Sequence, residues 1–347
     1  MTNAPSAALD TAALARYLGA HVAGDWRDLS LRPFAGGQSN PTFLLTSRAG
    51  AAVLRKQPAG KLLPSAHAVD REFRIMQALH ATDVPVPRML HYCADPSIVG
   101  TPFFVMEHVP GRVLKDPLLE GESLGARSAM YDAMNASLAS LHRVDYAACG
   151  LADYGRPGNY FARQVDRWSR QYRDSETQSI AAMDELMRRL PAMVPADDRA
   201  SIVHGDFRLE NLIYHPTEPV VLAIVDWELS TLGHPLADLA YNCFAYRLPR
   251  DAFGGLAGID LADTGIPSEA EYVARYVERT GIRPAAPWGF YVAFSLFRLA
   301  AILQGVLRRA LDGNASSADA IERGSRAQLC AETGLAALED SPKVMPT

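Results

Sequence analysis

HGDFRLEN (204–211), followed by the apolar run VVLAIV (220–225) and then Asp226-Trp227-Glu228, decides the reading of this chain. Apolar, β-branched runs flank three oxygen-bearing side chains. Asp206 comes first, Asn211 lies five positions on, and Asp226 stands at a strand end twenty positions after Asp206. Taken singly, each is an ordinary turn, loop or strand-end residue. Taken together they supply what phosphoryl transfer needs. The first carboxylate can accept or orient the proton of an attacking hydroxyl, and the amide oxygen and second carboxylate are hard donors for Mg²⁺. A divalent ion so held bridges phosphate oxygens and offsets the charge that the transition state spreads over them.

Outward from this stretch, the second half of the chain reads as helical. Apolar periodicity predicts helices over about 122–143, 158–173, 178–190, 234–248, 268–280, 288–312 and 316–338, with residues 201–228 as one β-rich interruption. The first half is β-rich. Strands are predicted within 29–56, one helix over 66–81, and an apolar strand at PFFVMEHV (102–109). In that helix Val69, Phe73, Met76 and Leu79 recur at spacings of three and four. Pro110-Gly111 is the predicted boundary, giving an N-terminal lobe 1–109 and a C-terminal lobe 110–347. The expected class is α+β: a small β-rich lobe with one helix, then a larger, mostly helical lobe.

Composition narrows the function. A 347-residue chain with 48% hydrophobic and 21% charged residues can bury two sizeable cores. Its net charge of −5 gives no sign of a nucleic-acid partner, and none is expected. Cys93, Cys149, Cys243 and Cys330 lack the close spacing of a zinc or redox motif, and a cytoplasmic location with reduced thiols is expected. The N-terminal residues do not read as a secretory signal. The most apolar segment, 288–303, is short for a membrane span and is interrupted by Arg298. It reads as a buried helix, and no membrane partner is expected. The sequence leaves the oligomeric state open.

The 204–228 stretch resembles the catalytic loop of the aminoglycoside phosphotransferase and choline kinase superfamily, which has the protein-kinase-like fold with H-G-D in place of H-R-D. The resemblance runs from about residue 30 to 310. It implies ATP and Mg²⁺ as cofactors, Asp206 as the catalytic base, and Asn211 and Asp226 as metal ligands. His204 is expected to support the loop by hydrogen bonds, Asp238 to tie it to the next helix, and Glu228 to assist the metal through water or to be a plain polar residue. The nucleotide half follows. Gly36, Gly37, Gln38, Ser39 and Asn40 lie between two strands, where two glycines let backbone amides approach phosphate. Arg55 or Lys56, closing AAVLRK, would reach the phosphates. Strand alternation lets only one point inward, and Arg55 is the favoured residue. Glu72 is its matching carboxylate. Met106 would flank adenine, while the Glu107 carbonyl and Val109 amide would bond its edge.

Gly205 replaces the arginine that reads a phosphorylated activation loop in protein kinases, and no A-P-E segment is present. A small-molecule hydroxyl is therefore the expected acceptor. Residues 159–172 and 288–304 are candidate lining segments. Trp168, Tyr172, Trp288 and Tyr291 form either a cationic cage or core, and Arg163, Arg167, Arg170 and Arg298 suit an anionic or acyl acceptor or else a solvated basic face. VLRKQPAGKLLPSAHAVDREFRIMQAL (53–79) and FRLAAILQG (297–305) resemble most closely the kinase-like domain fused ahead of some acyl-CoA dehydrogenases. That implies a hydroxylated acyl substrate or its coenzyme A ester. The alternatives are an antibiotic phosphotransferase and a nucleotide-binding scaffold without catalysis.

Overall fold

Alternating apolar residues build a five-stranded antiparallel sheet in the first half of the chain. A computed structural model describes residues 9–34, 40–60, 67–313 and 320–339. Gly36, Gly37, Gln38 and Ser39 lie outside the described residues. In chain order the first half contains α1 (Thr11–His21), β1 (Ser30–Pro33), β2 (Thr42–Ser47), β3 (Gly50–Lys56), α2 (Val69–Leu79), β4 (Met89–Cys93), α3 (Pro96–Val99) and β5 (Phe103–Glu107). The strand order is β1-β2-β3-β5-β4. Leu45 pairs with Ala52, and Leu54 with Val105, so their side chains share a buried cluster with Leu14 and Leu18 of α1. Asp10 caps α1, its side chain accepting from the Ala13 amide at 2.9 Å.

The buried stripe of α2 is Val69, Glu72, Ile75, Met76 and Leu79. This differs from the expected stripe. Phe73 is only half-buried, against Tyr92 and Phe104, and a carboxylate occupies the core-facing row.

The second half contains α4 (Leu124–Arg143), α5 (Tyr160–Ser175), α6 (Ala181–Arg189), β6 (Ser201–Val203), β7 (Leu212–Tyr214), β8 (Val221–Ile224), β9 (Thr231–Gly233), α7 (Pro235–Asn242), α8 (Arg250–Phe253), α9 (Glu269–Thr280), α10 (Trp288–Leu311), α11 (Ala320–Ser325) and α12 (Ala327–Glu339). β6 pairs with β9, and β7 with β8. The central helix is α10, with α5, α7, α11 and α12 packed around it. Its bounds match the predicted 288–312 to within one residue. At 24 residues and a mean hydropathy of 1.7 it is long and apolar enough to cross a membrane, but 83% of its most apolar window is buried by the rest of the protein.

The chain divides into two compact units, Met1–Pro110 with Val225–Glu228, and Gly111–Ile224 with Leu229–Thr347. The division at Pro110 is where the Pro-Gly pair stands. Residues 225–228, expected in the C-terminal lobe, group instead with the first unit, because Asp226 and Glu228 are held by Arg55 of β3. Beyond the division the chain is pinned to β7: the Arg112 amide donates to the Tyr214 carbonyl at 2.7 Å, and the Tyr214 amide returns a bond at 2.8 Å. Gly111 lies so close to that carbonyl that a Cβ would collide with it.

Candidate functional site

The candidate residues form two sets, one in each unit. In the first unit the sheet and α2 build a buried polar chain. Glu72 is 1% exposed. The Arg55 Nε lies 3.0 Å from one of its oxygens, and the Asn40 side-chain amide donates to the other at 2.7 Å. His67 Nδ1 lies 3.0 Å from the Asn40 Oδ1 and completes the support. Arg55 also reaches Asp226, donating from Nη2 to Oδ1 at 2.6 Å, and its Nη2 lies 3.6 Å from Glu228. Burial pushes the Glu72 carboxyl up to about 7, against the pull of Arg55, and the charges of Asp226 and Glu228 push the same way. Burial would lower the Arg55 guanidinium, but the three carboxylates outweigh it and hold it above its ordinary value.

Strand alternation sends the two cations to opposite sides of β3. Arg55 faces Glu72. Lys56 is turned away: its Nζ is buried and donates to the Val99 carbonyl, and burial lowers its pKa. Lys56 is therefore not placed beside Glu72. The Asn40 side chain is 1% exposed and braces Glu72. Met106 and Glu107 end β5, and Val109 follows. The Glu107 amide donates to the Arg88 carbonyl at 2.9 Å, and its side chain accepts the Arg88 amide at 2.9 Å.

Asp226 has φ +68, a left-handed conformation unusual for a residue with a side chain. Such strain is concentrated at functional positions. One guanidinium among three carboxylates leaves this cluster negative, and its oxygen donors suit a hard divalent cation such as Mg²⁺. Among the described residues no group of three or more His, Cys, Asp or Glu forms a ready-made metal cage.

In the second unit the loop after β6 displays Asp206. Gly205 has φ +84, and a Cβ on it would stand 2.5 Å from the Leu229 carbonyl oxygen, so glycine is the only residue that fits. Asp238, fully buried on α7, accepts the His204 amide at 2.5 Å and the Gly205 amide at 2.8 Å. Burial would raise the Asp238 carboxyl, but the hydrogen bond and charge of His142 and the loop amides hold it low. His142 in turn lies 2.6 Å from the Tyr276 hydroxyl. The His204 ring accepts the Asp206 amide at 3.2 Å, so His204 supports the loop as expected.

Asp206 itself is braced on both oxygens. The Asn211 Nδ2 donates to its Oδ2 at 2.9 Å and to its carbonyl at 2.8 Å, while the Tyr241 hydroxyl donates to its Oδ1 at 2.6 Å. The Asn211 Oδ1 points to no hydrogen-bond partner among the described residues, which leaves an amide oxygen open to a cation. Arg208 stands beside the pair, with Nε 3.5 Å from Asp206 and Nη2 2.9 Å from Glu210. A cavity of about 70 Å³, lined by Tyr131, Met134, Arg208, Asn242, Phe244 and Tyr246 among others, opens next to this loop.

Tyr241 and Arg208 were missed by sequence reasoning. Tyr241 is three residues after Asp238 on α7, a spacing that puts both on the side of the helix facing the loop, and that spacing was the available signal. The proposed aromatic cage is corrected. Tyr172 and Tyr291 are fully buried, Trp288 is 3% exposed and packs on Tyr291, and Trp168 packs instead against Arg167 and Arg298.

The model of the phosphotransferase enzyme family matches residues 30–285, spanning the Arg55–Glu72 pair and the Asp206 loop. The chain belongs to this family. A phosphotransferase-family crystal structure from Ralstonia eutropha, provisionally named an aminoglycoside phosphotransferase, is 49% identical with a TM-score of 0.88, covering 96% of this chain and 99% of that one. The aminoglycoside phosphotransferase APH(4)-Ia, in ternary complex with AMP-PNP and hygromycin B, shares the fold at 14% identity and a TM-score of 0.61, over 90% of this chain and 96% of that one. The fold is thus the α+β, protein-kinase-like one. Among curated relatives, mouse acyl-CoA dehydrogenase family member 10 is 50% identical over 92% of this chain and 30% of its own length. Rat acyl-CoA dehydrogenase family member 11 is 45% identical over 95% of this chain and 43% of its own length. The chain therefore spans less than half of these relatives, which carry this kinase-like domain.

Proposed function

We propose that the chain transfers the γ-phosphoryl group of ATP to a hydroxyl of a small molecule, with a hydroxylated acyl compound as the favoured acceptor class. The observation that carries this reading is Asp206, a carboxylate held by Tyr241 and Asn211 on a loop that buried Asp238 fixes from below. In this role Asp206 orients the acceptor hydroxyl and takes its proton as the oxygen–phosphorus bond forms and the bond to the ADP leaving oxygen breaks. Arg55, fixed by Glu72, would grip the nucleotide phosphates. Asn211 in the second unit and Asp226 in the first are each a candidate ligand for Mg²⁺, which would supply charge neutralisation on the phosphate oxygens when bound. The backbone of Gly36, Gly37, Gln38, Ser39 and Asn40 would cover the phosphates, and Met106, Glu107 and Val109 would receive the adenine.

The acyl preference rests on the two acyl-CoA dehydrogenase relatives and on the arginines of α5 and α10. The test is ATP consumption against hydroxy acids, their coenzyme A esters, choline-like alcohols and aminoglycosides. Acceptor-dependent ADP formation with an acyl compound is the expected result. Turnover with aminoglycosides alone would replace the acyl reading with the antibiotic one. ATP binding without any acceptor-dependent turnover would favour a scaffold.

A further inference from the structure

Among the described residues, the buried guanidinium of Arg298 has no anionic partner. Arg298, on α10, is 6% exposed. Its guanidinium carbon lies 5.6 Å from the centre of the Trp168 ring and 5.4 Å from that of Tyr241. Two aromatic faces therefore hold the guanidinium by cation–π contact, with no hydrogen bond or ion pair to Arg298 among the described residues. Ring faces do not satisfy the N–H groups, which lie in the plane of the fork. No Arg298 nitrogen is among the buried atoms left without a partner, so the fork reaches solvent, where it is open to a carboxylate or phosphate.

Its position gives the missing anion a meaning. Tyr241, whose ring carries Arg298, is the residue whose hydroxyl binds Asp206 at 2.6 Å. Only one phenol ring thus separates the base from the unpaired guanidinium. Arg167 stacks on the same indole, 5.5 Å from its centre, and its exposed charge adds to the field at this place. The indole N–H is turned to Gln164 at 2.9 Å, which fixes the ring as a platform.

We propose that Arg298 recognises an anionic group of the acceptor, a carboxylate or a phosphate, and so sets the distance between that group and the hydroxyl presented to Asp206. This deepens the phosphotransferase reading and rests on it. The substrate class is then a hydroxylated molecule that also carries a carboxylate or a phosphate, held bidentately by the planar fork.

The test uses 2-, 3-, 4- and 5-hydroxyhexanoate, the matching neutral amides, and the matching coenzyme A thioesters, with ATP and Mg²⁺. Acceptor-dependent ADP formation gives kcat and KM for the wild-type chain, Arg298→Met and Arg298→Lys. A charge-assisted bidentate contact is worth about 10- to 100-fold, so the wild type should prefer acid or thioester over amide by that factor in KM. Arg298→Met should bring the ratio to about one, and Arg298→Lys should keep part of it. Preference for the acid assigns a carboxylate. Preference for the thioester, with free coenzyme A competing, assigns a phosphate.

An amide used as well as both anionic forms by the wild type overturns the proposal without any variant, so misfolding of Arg298→Met leaves the test intact. A preference that survives Arg298→Met in a chain of unchanged melting temperature also overturns it. Calorimetric binding of the same acids and amides, which needs no turnover, tests Arg298 separately. Anion-selective binding without phosphorylation would fail the phosphotransferase reading while sustaining the site.

Discussion

Replacing Glu72 by glutamine should change how stability depends on pH. Burial pushes the Glu72 carboxyl from its ordinary 4.5 to about 7, so the folded chain holds a proton there that the unfolded chain releases. A group whose folded pKa is raised contributes stability that is fully present below the unfolded value and is lost as pH rises through the folded one. The window is therefore pH 4.5 to 7, and the loss across it is about 3 kcal/mol, or at most about 1.4 kcal/mol per pH unit. Glutamine keeps the shape and does not titrate. Urea unfolding of both chains at half-unit steps from pH 4.5 to 8 would measure it. The difference in unfolding free energy, variant minus wild type, should climb by about 3 kcal/mol in favour of the variant as pH rises. Using the difference cancels the opposite trend from His234, whose burial lowers its pKa to about 4 and makes the fold lose stability as pH falls. Parallel curves for the two chains would refute the reasoning and would mean that Arg55 holds Glu72 charged throughout.

Gly205→Ala should cost about 1–3 kcal/mol of stability and displace Asp206, since the new methyl meets the Leu229 carbonyl at a positive φ; thermal melting and ADP formation report both effects. Tyr241→Phe should lower kcat about 10- to 100-fold with ATP affinity unchanged, because it removes one charge-assisted hydrogen bond from the base. Asp226→Ala should abolish the Mg²⁺ dependence of nucleotide binding measured by thermal shift, and an unchanged dependence would remove Asp226 from the metal set.

The fold was legible because its signals are local. Periodicity located most of the long helices to within a few residues, but the one read over 234–248 ends at Asn242 and the one read over 316–338 is two, α11 and α12. Strand alternation turned Arg55 toward Glu72 and Lys56 away from it. What the sequence hid depends on distant partners. Nothing near Asn40 announces that its amide braces a carboxylate 32 positions on. Arg298 looked like an interruption of an apolar helix, or one more basic surface residue, because the indole and phenol that make its burial tolerable come from α5 and α7. Residues 225–228 read as the end of a strand in the second lobe, and the ion pairs that draw them to the first arise from a strand 171 positions earlier.

The account stands on Asp206 as the group that takes the acceptor's proton. ADP formation by Asp206→Ala, compared with the wild type on the best acceptor found, tests it most directly. General-base assistance is worth about 10²–10⁴-fold, so the variant should lose that factor in kcat while binding ATP with near-native affinity. A variant that kept most of its turnover would contradict the account.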